Sequence, residues 1–242
     1  MQALILAGGL GTRLRSLAPD RPKPMVEVGG RPFLDYQVEQ LRAQGFSEFV
    51  LCVGYRARQV QDHFGDGRRW GVSISYAVET KLLGTAGAIR NAREWIAGPF
   101  LVMNGDSYLE ADYRELVACH QRWREADPQT VGTVLTVAVE DAAAYGTLDL
   151  DADGRILHFQ EKASAASGPI NGGVYVLEPE ILRCIPGDRP VSIERETFPQ
   201  VLREGGHLYS APAGGFFVDI GTPEGYRRFE RYAASLGREN RR

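Results

Sequence analysis

Five apolar residues, Ala3 to Ala7, run straight into Gly8-Gly9-Leu10-Gly11. A run this short and this apolar suits a strand buried on both faces, and glycines at its end let the backbone turn with little side-chain bulk. Such a start predicts an α/β chain with a turn at a strand's carboxyl end, where main-chain N–H groups can face an anion. The turn is neither G-x-G-x-x-G nor G-x-x-x-x-G-K-[ST], which argues against a dinucleotide oxidoreductase and a P-loop NTPase. Arg13 lies two residues beyond it, and Lys23 ten further on between Pro22 and Pro24, whose fixed φ angles limit where that lysine can point. A lone lysine is most often a solvated surface residue. A glycine turn, a guanidinium and an ammonium so close together are instead suited to holding a polyphosphate.

Short apolar runs alternate with amphipathic stretches through the first half, the pattern of βαβ units and a mainly parallel sheet. Strands are predicted near Ala3 to Ala7, Phe49 to Val53, Ser73 to Val78 and Phe100 to Met103. Phe33 to Gln44 carries Leu34, Val38 and Leu41 at helical spacing, and Ala86 to Ile96 is rich in helix formers. After Asp127-Pro128 the texture becomes β-rich: Val131 to Val139, Thr147 to Leu150, a turn at Asp153-Gly154, Ile156 to Phe159, Asn171 to Leu177 and Gly215 to Ile220. Thr222 as N-cap and Pro223 at the first helical position announce a closing helix, and Gly237 to Arg242 read as a frayed tail.

The 242 residues suffice for one sizeable core and show no obvious linker, so one domain is predicted over 1–236. A net charge of −3, with the basic residues dispersed, argues against nucleic acid as a partner. Cys52, Cys119 and Cys184 have no metal-ligand spacing and read as thiols of a reducing compartment. With no signal-peptide pattern and no apolar stretch near the roughly 20 residues of a membrane span, a cytoplasmic protein is expected.

Residues just after each strand are the candidate ligand contacts. Asp106, in Asn104-Gly105-Asp106, and Asp219, in FFVDIGTP, both follow apolar runs. Either could be a turn residue or a cap, but two strand-end aspartates beside a phosphate turn suit one Mg²⁺, whose other positions go to water and phosphate oxygens. Glu79 follows Ser73 to Val78, and a carboxylate there can accept from the adjacent N1–H and N2–H of guanine, where uracil and thymine offer one N–H. Glu161-Lys162 and the segment from Gly168 to Gly173 suit sugar hydroxyls and a sugar phosphate, and Tyr145-Gly146-Thr147 offers a turn that approaches a ring.

Taken in order, LAGGLGTRL, PKPM, LGTAGA, NGD, YGT, EK, INGGVY and FVDIGTP resemble the sugar-1-phosphate nucleotidylyltransferases, from Met1 to about Tyr232. Within that family Glu79, NGDSY, GPINGGVY, ETFPQVL and DIGTPEGY look most like D-glycero-α-D-manno-heptose 1-phosphate guanylyltransferases. The resemblance implies a Rossmann-like three-layer α/β sandwich with a mixed, mainly parallel central sheet and a small antiparallel sugar-binding portion. It places the nucleotide-binding half at about 1–127 and the sugar-phosphate half at about 128–236. It further implies Mg²⁺-dependent transfer of GMP from GTP to a sugar 1-phosphate, with pyrophosphate released and a homo-oligomer left open.

By motif, Arg13, Lys23, Asp106 and Asp219 become catalytic, the two aspartates as metal ligands. Leu6, Ala7, Gly8, Gly9, Gly11, Thr12, Glu79, Gly84 and Thr85 bind nucleotide; Asn104, Tyr145, Gly146, Glu161, Lys162 and Asn171 bind sugar phosphate. No hexapeptide β-helix repeat follows the closing helix, so a tail-borne second activity is not expected. The alternatives are a uridylyltransferase acting on an amino-sugar 1-phosphate such as N-acetylmuramate 1-phosphate, and a non-catalytic nucleotide-sugar-binding relative.

Overall fold

The computed structural model describes residues 1–9, 20–139, 146–160 and 168–239. In chain order it places β1 (Gln2–Leu6), a two-residue hairpin of β2 (Glu27–Val28) and β3 (Arg31–Pro32), α1 (Phe33–Ala43), β4 (Glu48–Val53), α2 (Ala57–Phe64), β5 (Ser73–Val78) and α3 (Gly84–Asn91). There follow β6 (Phe100–Asn104), β7 (Ser107–Leu109), α4 (Tyr113–Ala126), β8 (Thr130–Val139), β9 (Leu148–Leu150), β10 (Ile156–Phe159) and β11 (Gly168–Leu177). The chain continues through α5 (Phe198–Arg203), β12 (His207–Ala213), β13 (Phe217–Asp219) and α6 (Pro223–Glu239).

Among the described residues, seven strands form the central sheet in the order β12-β8-β11-β6-β1-β4-β5. β11 runs antiparallel to both its neighbours, and the other six share one direction. This is the expected mixed, mainly parallel sheet. The strands alternate their apolar residues between two cores. Ala3, Ile5 and Leu51 pack with Leu34, Val38 and Leu41 of α1, Val60 of α2 and Leu116 of α4. Leu4, Val50 and Val102 pack with Ala86 and Ile89 of α3 and Val201 of α5. An isolated 11-residue helix such as α1 is marginal in water. Full burial of Phe33, Leu34, Val38 and Leu41, at about 1.5–3 kcal/mol each, is what holds it.

Antiparallel pairing is concentrated where the sequence texture changes. β9 and β10 form the expected hairpin, with Gly154 left-handed in its turn at φ 84°. The run read as Gly215 to Ile220 is strand only over β13, which pairs with β7 and stays outside the central sheet. A third core seats α6 on that ladder, burying Phe229 and Ala233 against Tyr108, Val218 and Ile220. Thr222 caps α6 as expected, its Oγ1 accepting from the Gly225 N–H at 3.0 Å, but the backbone stays helical to Glu239, past the boundary read at Leu236. Among the described residues no helix is long and apolar enough to cross a membrane.

Candidate active site

A cavity of about 300 Å³ opens at the carboxyl ends of β1, β5 and β6. Its wall brings together nine of the residues singled out from the sequence: Leu6, Gly8, Gly9, Lys23, Glu79, Gly84, Thr85, Asn104 and Asp106.

Lys23 reaches it from a single 3-10 turn, Lys23–Met25, closed by the Met25 N–H on the Pro22 carbonyl at 2.8 Å. Pro22 is extended with ψ 147°, so the chain arrives straight and turns at the lysine. The Lys23 side chain is 9% exposed, not the solvated lysine that composition alone favours. Its ammonium donates to Asp106 Oδ2 at 2.6 Å and lies 3.6 Å from Asp219 Oδ1.

Two strand ends make those carboxylates neighbours. Gly105 carries the chain over the end of β1, its N–H donating to the Leu6 carbonyl at 3.1 Å, and a Cβ there would lie 2.5 Å from that same oxygen. Only glycine fits, and Asp106 follows at once. In the β7–β13 ladder Asp219 sits opposite Ser107, and the Ile220 N–H donates to the Asp106 carbonyl at 2.9 Å. Asp219 Oδ1 also accepts from the Gly221 N–H at 2.5 Å, which orients the carboxylate. Among the described residues no cluster of three or more His, Cys, Asp or Glu side chains could hold a metal alone. Two hard oxygen donors converging on one ammonium do fit a Mg²⁺ whose shell is completed by water and substrate phosphates.

On the opposite wall Glu79 extends the β5 ladder by one bond, its N–H donating to the Val53 carbonyl at 2.7 Å. Its Oε2 accepts from the Leu83 N–H at 3.1 Å. Burial pushes the carboxyl above the ordinary glutamate range, and the Leu83 N–H pulls it partly back. Gly8 packs on this carboxylate so closely that a Cβ at position 8 would lie 2.7 Å from Oε1. Gly84 is left-handed at φ 72°, and a Cβ there would lie 2.5 Å from the Val191 carbonyl oxygen. Thr85 Oγ1 accepts from the Ile193 N–H at 2.8 Å, so this hydroxyl ties α3 to the segment around Ile193.

The family profile described as nucleotidyl transferase matches residues 2–235. This chain belongs to the nucleotidyl transferase family. A mannose-1-phosphate guanyltransferase of Emericella nidulans is 38% identical over 233 residues, which are 93% of this chain and 62% of that protein. The chain therefore spans less than two thirds of that relative's length. The crystal structure of HddC from Yersinia pseudotuberculosis has 35% identity and a TM-score of 0.82, covering 96% of this chain and 98% of that one. The same protein complexed with GMP-PN has 36% identity and a TM-score of 0.79, covering 94% and 96%. Nucleotidyl transferases generally use divalent metal ions, in keeping with the paired aspartates.

One charged residue on the cavity wall is absent from the sequence reading. Glu194 lies in the π-helical turn Ile193–Thr197. Its Oε1 accepts from the Tyr175 hydroxyl at 3.0 Å and from Asn171 Nδ2 at 3.4 Å. Burial, with the Glu194 carboxylate alongside, pushes the Tyr175 hydroxyl far above its usual range, so it stays a donor. Asn171 itself is set back from the wall, its Oδ1 accepting from the Gly173 N–H at 2.8 Å, and Gly146 is off the wall too. Ala7 is buried, its N–H donating to the Cys52 carbonyl at 2.8 Å, so it contributes backbone order. Asn104 packs under Gly173, which is left-handed at φ 74° and would place a Cβ 2.9 Å from Asn104 Nδ2. Gly11, Thr12, Arg13, Tyr145, Glu161 and Lys162 lie outside the described residues.

Proposed function

We propose that this chain transfers GMP from GTP to a sugar 1-phosphate, D-glycero-α-D-manno-heptose 1-phosphate, releasing pyrophosphate and forming a GDP-sugar. The observation that carries the guanine assignment is the Glu79 carboxylate on the cavity wall. Its Oε1 takes no partner from the Leu83 amide, which bonds Oε2. Paired N1–H and N2–H donors are complementary to a carboxylate, whereas the single N–H of uracil or thymine leaves one oxygen without a partner. The similarity to a structure complexed with GMP-PN supports the same base.

The attacking oxygen of a sugar phosphate is already anionic, so positioning and charge neutralisation suffice and no general base is required. The Lys23 ammonium, buried beside Asp106 and Asp219, would hold the attacking phosphate and the α-phosphate of the nucleotide. By the family resemblance, Arg13 would stabilise the departing pyrophosphate in this reading. Mg²⁺ held by Asp106 and Asp219 would supply further positive charge to the phosphate oxygens. Residues 1–127 serve the nucleotide and residues 128–236 the sugar phosphate, within one domain over 1–236.

The heptose rests on NGDSY, GPINGGVY and ETFPQVL. Mannose 1-phosphate is the second reading, favoured by the 38% identity to mannose-1-phosphate guanyltransferase. Pyrophosphate release measured for GTP, ATP, UTP and dTTP against heptose, mannose and N-acetylmuramate 1-phosphates separates these. GTP with the heptose phosphate is expected to be fastest. Equal or faster turnover with UTP or dTTP rejects guanine, and faster turnover with mannose 1-phosphate selects the second sugar.

A further inference from the structure

Arg56 has the only positive φ among the described non-glycine residues, at 53°, immediately before α2. An arginine in the left-handed region is strained, and glycine or asparagine is the usual occupant. Its guanidinium explains where that strain is directed. Nη1 donates to the Asp20 carbonyl, and Nη2 donates to Asp20 Oδ1 at 3.0 Å. Gln59 Nε2 donates to the same carbonyl at 3.1 Å. Arg56 Nε donates to the Tyr55 hydroxyl at 3.0 Å, so the guanidinium is oriented from two sides.

The other end of this loop grips the glycine turn. A Cβ on Gly54 would lie 3.1 Å from the Gly8 carbonyl oxygen, and the Ala7 N–H donates to the Cys52 carbonyl at 2.8 Å. The stretch from Gly54 to Gln59 thus touches both Gly8 and Asp20, and Asp20 lies three residues before Lys23. The Asp20 side chain is 85% exposed, and exposed ion pairs of this kind add little stability. A strained backbone supporting a contact of little stabilising value points to function rather than folding.

We propose that Arg56 is a positioning residue for nucleotidyl transfer: by holding Asp20 it fixes the approach to the turn at Pro22–Met25 and so where Lys23 stands. The idea rests on the nucleotidyl transfer reading for its kinetic arm only. Arg56→Gly relieves the backbone strain and deletes the clasp together, which separates a stabilising role from a positioning one.

For Arg56→Gly the melting temperature is expected to hold or rise. kcat/KM for GTP is expected to fall roughly tenfold, the scale of coupling within one hydrogen-bonded network, with KM for the sugar phosphate changed by less than about twofold. Arg56→Lys, which keeps one donor, recovers part of the loss. Hydrogen exchange reads the same effect without turnover: the Met25 and Val26 amides, bonded to the Pro22 and Lys23 carbonyls, exchange faster in Arg56→Gly. A wild type inactive with GTP overturns the function reading and leaves exchange to decide this one. Unchanged exchange at Met25 and Val26 overturns the positioning role, as does a melting temperature that falls in step with turnover.

Discussion

Lys23 and Asp106, 83 residues apart in sequence, meet at 2.6 Å, and the same ammonium lies 3.6 Å from Asp219. Three chain segments therefore deliver one positive and two negative groups to a single point. Lys23 offsets one of the two carboxylate charges and is itself buried. Loss of one preorganised charge contact to a transition state slows turnover by roughly 10²-fold or more. Lys23→Ala and Asp106→Asn are each expected to show at least that loss in kcat, read as pyrophosphate release. Near-normal rates in both variants would remove the proposed mechanism.

Gly8 and Glu79 offer a cleaner separation of binding from folding. A methyl group at position 8 would meet Glu79 Oε1 at 2.7 Å, an atom at the far end of a side chain that can swing aside. Gly8→Ala is therefore expected to keep most of its stability but to displace the carboxylate proposed to read the base. KM for GTP should rise, and the preference for GTP over UTP should shrink, in a steady-state comparison of the two nucleotides. A GTP preference equal to that of the wild type would show that Glu79 does not read the base.

Much of this site is legible in the sequence because strand ends announce themselves locally. Asp106 and Asp219 each close an apolar run, whereas the backbone crossing over Leu6 that requires glycine at 105 is visible only in the fold. Glu194 carries no such signal, since Ile193–Thr197 is a π-helical turn without an apolar period and its acidic residues read as solvated. Arg56 is hidden for a different reason: nothing in its local sequence indicates a left-handed arginine. The assignment of β13 to β7 rather than to the central sheet is likewise non-local, fixed by the α6 core of Phe229 and Ala233. Pairings over long sequence separation depend on tertiary packing, which propensity and spacing do not encode.

His120 ties α4 to the sheet, with Nδ1 3.0 Å from Thr133 Oγ1 and Nε2 3.2 Å from Glu178 Oε1. Burial holds its pKa below the ordinary value of 6.5, outweighing the upward pull of the Glu178 carboxylate. A lowered folded pKa means the unfolded chain takes up the proton first. The histidine's contribution to stability is then intact above about pH 6.5 and is lost as pH falls toward the folded value, by about 1.4 kcal/mol per pH unit. Chemical denaturation from pH 7.5 to 5 should show His120→Gln less stable than the wild type at the upper end. The difference should narrow steadily with acidification, and a constant difference would mean that His120 does not titrate in this window.

Glu79 has the opposite sign. Its carboxyl is raised above 4.5 by burial, so the charged form is the unfavourable one in the fold, and Glu79→Gln is expected to hold or raise the melting temperature at neutral pH. The proposed guanine contact demands that same charged form, because a protonated carboxyl presents an O–H donor toward the N–H donors of guanine. As pH falls, Glu79 is protonated before an exposed glutamate would be, and KM for GTP should climb while the pH is still above the ordinary glutamate range. Glu79→Gln should lose this acid limb together with most of its preference for GTP over UTP. A variant that keeps both the limb and the preference would move base recognition away from Glu79 to another wall of the cavity.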